Sequence, residues 1–180
     1  MTQAILTFLG GLLAGYVLAY FQYVFDAEKS RLAFRIKILR EVWEGVLLAK
    51  SLATNLDPEL GFADPNEPRK ERIDRRLEEF EKAHVPAIRV VRFNSPFYPV
   101  PIHDLAKKIV DESGLLARYI ANNSPESVGE ERYWKRVNEC SDPLHAMTNQ
   151  LCEAIRHEAN RPSLNPWHWF RKSPAINLTD

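Results

Sequence analysis

The first 25 residues contain no Asp, Glu, Lys or Arg, although the chain has 24 basic and 24 acidic residues. Within this stretch, residues 4–25 form a nearly unbroken apolar run, AILTFLGGLLAGYVLAYFQYVF. As a helix the run would rise about 33 Å, which matches the roughly 30 Å hydrocarbon thickness of a bilayer. A cleaved signal peptide would end in small residues, whereas this run ends in Tyr-Val-Phe. The sequence therefore predicts that residues 1–25 are a transmembrane anchor.

The basic residues nearest to the predicted span predict its orientation. Lys29, Arg31 and Arg35 follow the span closely, and no basic residue precedes it. Because basic flanks stay on the cytoplasmic side, we expect the N-terminus outside and residues 26–180 in the cytoplasm, with the chain in the inner (plasma) membrane. Cys140 and Cys152 fit a reducing compartment, since neither belongs to a closely spaced pair.

Small residues within the span predict self-association. Gly11, Gly15 and Ala19 recur every four residues, so they share one face of a helix. Such a face lets two membrane helices approach closely, which favours a homo-oligomer. The alternative is that Gly and Ala are simply frequent in membrane helices and that the row has no role.

The rest of the chain has the apolar spacing of helices. Apolar residues recur in steps of three and four, and no strand-like alternation persists. All twelve prolines lie at or after Pro58, so nothing interrupts a helix that continues from the span. The predicted fold class is all-α: a single N-terminal transmembrane helix continuous with a cytoplasmic antiparallel four-helix bundle over residues 26–161. Its helices are expected at about 26–56, 69–93, 102–121 and 125–160.

The tail, residues 162–180, combines aromatic and basic side chains. Trp167 and Trp169 precede Arg171 and Lys172, so the tail could lie in the headgroup layer of an anionic leaflet. It could instead cover the open end of the bundle or be a linear motif that a partner binds. With the residues that flank the span, the predicted membrane-interface set is Lys29, Arg31, Arg35, Trp167, Trp169, Arg171 and Lys172.

Patterns that would indicate enzymatic chemistry are missing from the sequence, which has no phosphate-binding glycine loop, no nucleophile elbow and no Cys-x-x-Cys. Cys140 and His145 are five residues apart, as are Cys152 and His157, so each pair would project about 140° apart on a helix. We therefore predict no catalytic, cofactor-binding or metal-binding residue. His84, on the apolar face of its helix, is expected to be a hydrogen-bonded core histidine; a pH-sensing or ligand role is the alternative.

These expectations define a function class. The chain is predicted to be a non-enzymatic single-pass membrane protein whose bundle is an oligomeric scaffold, a sensor or a partner-binding module. The expected partners are the lipid bilayer, further copies of the chain and a cytoplasmic protein, but no nucleic acid, because acidic residues are interleaved with the basic ones. The alternative is a pore-forming or membrane-disrupting effector whose bundle senses a trigger. In layout alone, the chain resembles small bacterial membrane proteins, some linked to phage defence.

Overall fold

The structure is a computed structural model that describes the backbone of residues 2–57 and 67–161, and their side chains except those of residues 2–10 and Leu12. Its α-helices are α1 (Thr2–Thr54), α2 (Arg69–Phe93), α3 (Val100–Asn122), α4 (Pro125–Val128) and α5 (Glu130–Ala159), and a short 3-10 helix covers Ser95–Phe97. No strand occurs in the described ranges. The predicted all-α class is therefore confirmed.

The chain divides into two compact units, Met1–Lys37 and Ile38–Asp180. The first unit contains the part of α1 that precedes Ile38. Within the described part of the chain, no helix is both long enough and apolar enough to cross a membrane, so the predicted transmembrane helix is not supported there.

The second unit is a helical bundle with one apolar core, as predicted. It is formed by α1 from Ile38 onward together with α2, α3 and α5, each of which buries one face. Because apolar residues recur every three or four positions, their side chains line one side of each helix and meet at the centre. The largest fully buried aliphatic side chains are those of Leu39, Leu56, Ile102, Ile109, Leu116, Ile120, Leu144, Leu151 and Ile155.

Contacts between helices show that neighbours run antiparallel. Near one end of the bundle, the Arg76 guanidinium donates to the carbonyl oxygen of Asn55 at 2.6 Å. Further along, a Cβ built on Gly45 would lie 3.6 Å from Cα of Ala87. Residue numbers thus fall along α2 as they rise along α1. Ile38, where the chain enters the unit, lies about 25 Å along α1 from Asn55. We call the end with Ile38 the entry end and the end with Asn55 the far end.

The predicted single helix over residues 125–160 is interrupted at Gly129, which corrects the sequence expectation. Gly129 has φ 87, a left-handed value that costs glycine little, and it ends α4 after one turn before α5 begins. Ser124 caps α4: its Oγ accepts from the Ser127 amide at 3.2 Å, and Ser127 Oγ accepts from the Ser124 amide at 3.0 Å. The break turns the chain at the far end of the bundle.

The two prolines inside helical segments do not end their helices. α2 continues through Pro86, and α5 continues through Pro143. In both cases the apolar spacing continues in phase beyond the proline, and packing against the core outweighs the loss of one backbone hydrogen bond.

Candidate functional site

The first unit exposes a large apolar surface on α1. Leu13, Tyr16 and Leu18 are exposed by 68%, 75% and 71% respectively. The same stretch also exposes Val17, Tyr20, Phe21, Tyr23 and Phe25, which makes eight large apolar side chains. Monomeric proteins in water rarely expose contiguous apolar patches of this kind, which usually mark a contact with a membrane or another protein.

The small-residue row of the predicted span lies on the same helix. Gly11, Gly15 and Ala19 are all exposed. A Cβ built on Gly11 or Gly15 would meet no atom within 4 Å, so no described residue of the chain packs on this face. The face is therefore sterically open to another helix, and its role in self-association stays a prediction.

The predicted membrane-interface residues fall into two groups. Lys29 and Arg31 are exposed on α1, and Arg35 is half-buried there. Trp167, Trp169, Arg171 and Lys172 lie outside the described residues. The interface role of the whole set stays a prediction.

A cluster of three polar residues, Asp57, Arg69 and Tyr133, lies at the far end of the bundle. Arg69 Nη2 lies 2.6 Å from Asp57 Oδ2 and Arg69 Nε lies 3.2 Å from the same oxygen. The Tyr133 hydroxyl donates to Asp57 Oδ2 at 2.9 Å and accepts from Arg69 Nη2 at 3.0 Å. Arg69 also donates to the carbonyl oxygen of Asn123 at 3.4 Å. The cluster joins the end of α1 to the starts of α2 and α5.

Burial and charge act together on this cluster. Burial alone lowers the pKa of Arg69, but the hydrogen bond and negative charge of Asp57 outweigh it, so the Arg69 pKa is raised. Burial also raises the pKa of the Tyr133 hydroxyl, and the hydrogen bond to Asp57 raises it further. At neutral pH Arg69 is therefore charged and the Tyr133 phenol is neutral, and the guanidinium of Arg69 is paired with the carboxyl group of Asp57. This arrangement is typical of a structural contact rather than of a catalytic group.

An open groove adjoins the cluster. Its volume is about 550 Å³, and its wall contains Tyr119, Asn123, Val128, Arg132, Lys135, Arg136 and Glu139. We call it the basic groove. The Tyr119 ring stacks on the Tyr133 ring with centroids 5.8 Å apart, which places the groove at the far end. Because Gly129 turns the chain between Val128 and α5, one wall comes from α4 and another from the first turns of α5.

The basic groove carries excess positive charge. Arg136 Nη1 lies 3.2 Å from Glu139 Oε2, and this hydrogen bond raises the pKa of Arg136. Neither Arg132 nor Lys135, both exposed, has an ion pair or a hydrogen bond with a described residue. Three cations thus face one carboxylate. The sequence analysis missed this site, although the spacing 132, 135, 136, 139 places all four side chains on one helix face.

His84 is hydrogen-bonded across the bundle as predicted, but it is half-buried rather than a residue of the core. Its Nε2 donates to the carbonyl oxygen of Val110 at 2.9 Å, and its ring stacks on Phe80 with centroids 4.7 Å apart. The ring also lies against the backbone of α3, because a Cβ built on Gly114 would come within 3.1 Å of His84 Cε1. Through these contacts the imidazole packs between α2 and α3.

Neither cysteine lines the basic groove, although Cys140 follows Glu139 of the groove on α5. Cys140 and Cys152 are both free thiols on α5, and both are partly buried. Among the described residues, no group of three His, Cys, Asp or Glu side chains is placed to hold a metal ion.

The fold and these surfaces define an all-α helical-bundle protein. No protein-family model, no curated protein and no solved structure matches the chain.

Proposed function

We propose that this chain is a non-enzymatic membrane protein in which residues 4–25 cross the bilayer and the second unit is a scaffold or partner-binding module. The observation that carries the proposal is the exposed apolar surface of α1 between residues 13 and 25. Removing a Leu, Val or Phe side chain from water is favourable by about 1.5–3 kcal/mol, so the five such side chains exposed between residues 13 and 25 strongly favour an apolar surrounding.

The sequence extends this surface to the length of a span. Residues 4–10 and Leu12 lie outside the described side chains, but they are apolar apart from Thr7 and carry no charge. Together with residues 13–25 they form a stretch long enough to cross the hydrocarbon layer. The exposed Lys29 and Arg31 that follow favour a cytoplasmic location for the second unit.

Self-association through the small-residue face is the second part of the proposal. Gly11 and Gly15 leave open space on the surface of α1, and Ala19 continues the row. In lipid, where apolar helices gain little from the hydrophobic effect, close backbone approach at small residues is a main source of helix association.

Alkaline carbonate extraction of membranes that contain the full chain tests the span. We expect the protein to stay with the membrane pellet. Release into the supernatant, with a known integral protein retained in the same sample, would contradict the proposal.

The mass of the full chain in nanodiscs tests self-association. We expect an oligomer that Gly11→Leu/Gly15→Leu dissociates, because the added side chains fill the space that the partner helix needs. The matched control is Val17→Leu/Tyr20→Leu, which introduces two leucines on the opposite face and should leave the oligomer intact. A monomer in the unchanged protein, or equal dissociation by both pairs, would overturn self-association through this face.

A further inference from the structure

We propose that the basic groove is a binding site for a soluble nucleotide, with the phosphates held by Arg132, Lys135 and Arg136. The proposal concerns the second unit and goes beyond the membrane role. It starts from the fact that two of these cations, Arg132 and Lys135, are unpaired among the described residues while they share one face of α5.

The charge of the groove matches an anion that carries several negative charges. Three cations against Glu139 leave a net charge of about two in a small volume, and like charges this close repel one another when no ligand is present. A polyphosphate removes this repulsion and accepts several hydrogen bonds at once. Guanidinium groups suit phosphate oxygens because their planar N–H donors can bind two oxygens together.

The size and the uncharged wall of the groove favour a nucleotide over a bare phosphate. A volume of about 550 Å³ is in the range of small-molecule sites and larger than inorganic phosphate requires. Tyr119 and Val128 form the uncharged part of the wall, and Asn123 adds an amide. An aromatic ring and an apolar side chain beside three cations fit a ligand with a planar organic group joined to phosphates.

Two sources could supply the phosphates that the groove binds. The Tyr119–Tyr133 stack places the groove beside the Asp57–Arg69–Tyr133 cluster, at the far end of the bundle. Soluble nucleotides and anionic lipid headgroups both carry phosphates, but the uncharged wall of the groove favours the nucleotide. Nanodiscs of neutral lipid exclude the headgroup as the source in the experiment below.

Isothermal titration of the full chain in nanodiscs of neutral lipid, at low ionic strength, tests the proposal. ATP and inorganic triphosphate are the probes, and both should bind, with ATP binding more tightly. Arg132→Gln/Lys135→Gln should weaken both affinities by about tenfold or more, because hydrogen bonds to charged groups are lost. Arg89→Gln/Lys108→Gln removes the same net charge from exposed positions elsewhere on the bundle and should leave both affinities unchanged.

Two further variants distinguish a specific nucleotide-binding site from non-specific attraction of phosphates by positive charge. Glu139→Gln removes the one carboxylate and releases Arg136, so ATP affinity should rise, a gain that mere loss of structure would not produce. Tyr119→Leu should weaken ATP and leave triphosphate unchanged. Failure of both probes to bind, or equal losses in the two double variants, would overturn the proposal. Binding only to vesicles that contain phosphoinositides would overturn the soluble source.

Discussion

The Tyr133 hydroxyl offers the sharpest test of how the far end of the bundle is stabilised. Tyr133 is 0% exposed, and its hydroxyl donates to Asp57 and accepts from Arg69. Tyr133→Phe removes one oxygen atom and keeps the ring, including its stacking on Tyr119. The change therefore isolates the two hydrogen bonds from the packing of the aromatic ring.

The expected loss of stability follows from the contacts that Asp57 and Arg69 retain in Tyr133→Phe. Asp57 Oδ2 still accepts from Arg69 at 2.6 and 3.2 Å, and Arg69 still donates to Asn123, so no charge is left unpaired. A hydrogen bond to a charged group contributes about 1.5–3 kcal/mol, whereas removing one member of a buried ion pair costs about 3–5 kcal/mol. We expect Tyr133→Phe to lower the free energy of unfolding by about 2 kcal/mol, which corresponds to a Tm roughly 8 °C lower.

Urea unfolding of the full chain in detergent, followed by far-ultraviolet circular dichroism, measures this loss. Tyr98→Phe is the matched control, because the buried Tyr98 hydroxyl donates at 2.6 Å to the neutral carbonyl of Val91. Loss of this hydrogen bond should lower the free energy of unfolding by about 1 kcal/mol. The unfolding slope should not change in either variant. If Tyr133→Phe costs no more than Tyr98→Phe, the argument that the charged cluster stabilises the fold is wrong.

Three further changes test other features of the bundle. Gly129→Ala should lower the free energy of unfolding by about 1–2 kcal/mol in the same urea assay, because its φ of 87 is strained for any residue with a Cβ. Gly114→Ala should cost about 1–3 kcal/mol, because the new Cβ would lie 3.1 Å from His84 Cε1; adding His84→Ala should recover part of that loss. Burial raises the pKa of Tyr98 from 10.0 to about 12, so its contribution to stability should be fully present below pH 10 and lost as the pH rises through 12. A pH series of Tm values in which Tyr98→Phe falls as steeply as the unchanged protein would contradict this assignment.

The spacing of apolar residues was enough to predict the helical class and the core. The stretch from Leu39 to Leu56, and α5 from Tyr133 to Ile155, bury the side that their three-and-four spacing predicts. The break at Gly129 was missed because a single glycine inside a helical pattern is compatible with an uninterrupted helix. Only its φ distinguishes the two cases, and φ depends on how the flanking segments pack.

The far-end sites could not be predicted from spacing in the same way. Asp57 and Tyr133 are 76 positions apart, and their hydrogen bond depends on how the helices are arranged in space. Asp57 lies just after the predicted helix 26–56 and Tyr133 lies within the predicted helix 125–160, and neither position indicates that the two residues meet. For the basic groove the helical spacing was present in the sequence, but the charges on α5 could equally have been a solvated face until α3 and α4 supplied the other walls.

The ion pair between Asp57 and Arg69 has a practical consequence for work on this protein. The two residues are 12 positions apart, and their contact holds the end of α1 beside the start of α2. When the ends of a connection are held in this way, lengthening it costs little: each doubling of the number of connecting residues costs about 0.6 kcal/mol. An epitope tag or a fluorescent protein inserted between these two positions should leave the helices in register. The connection is therefore a suitable place for an internal label when both chain termini must stay unmodified.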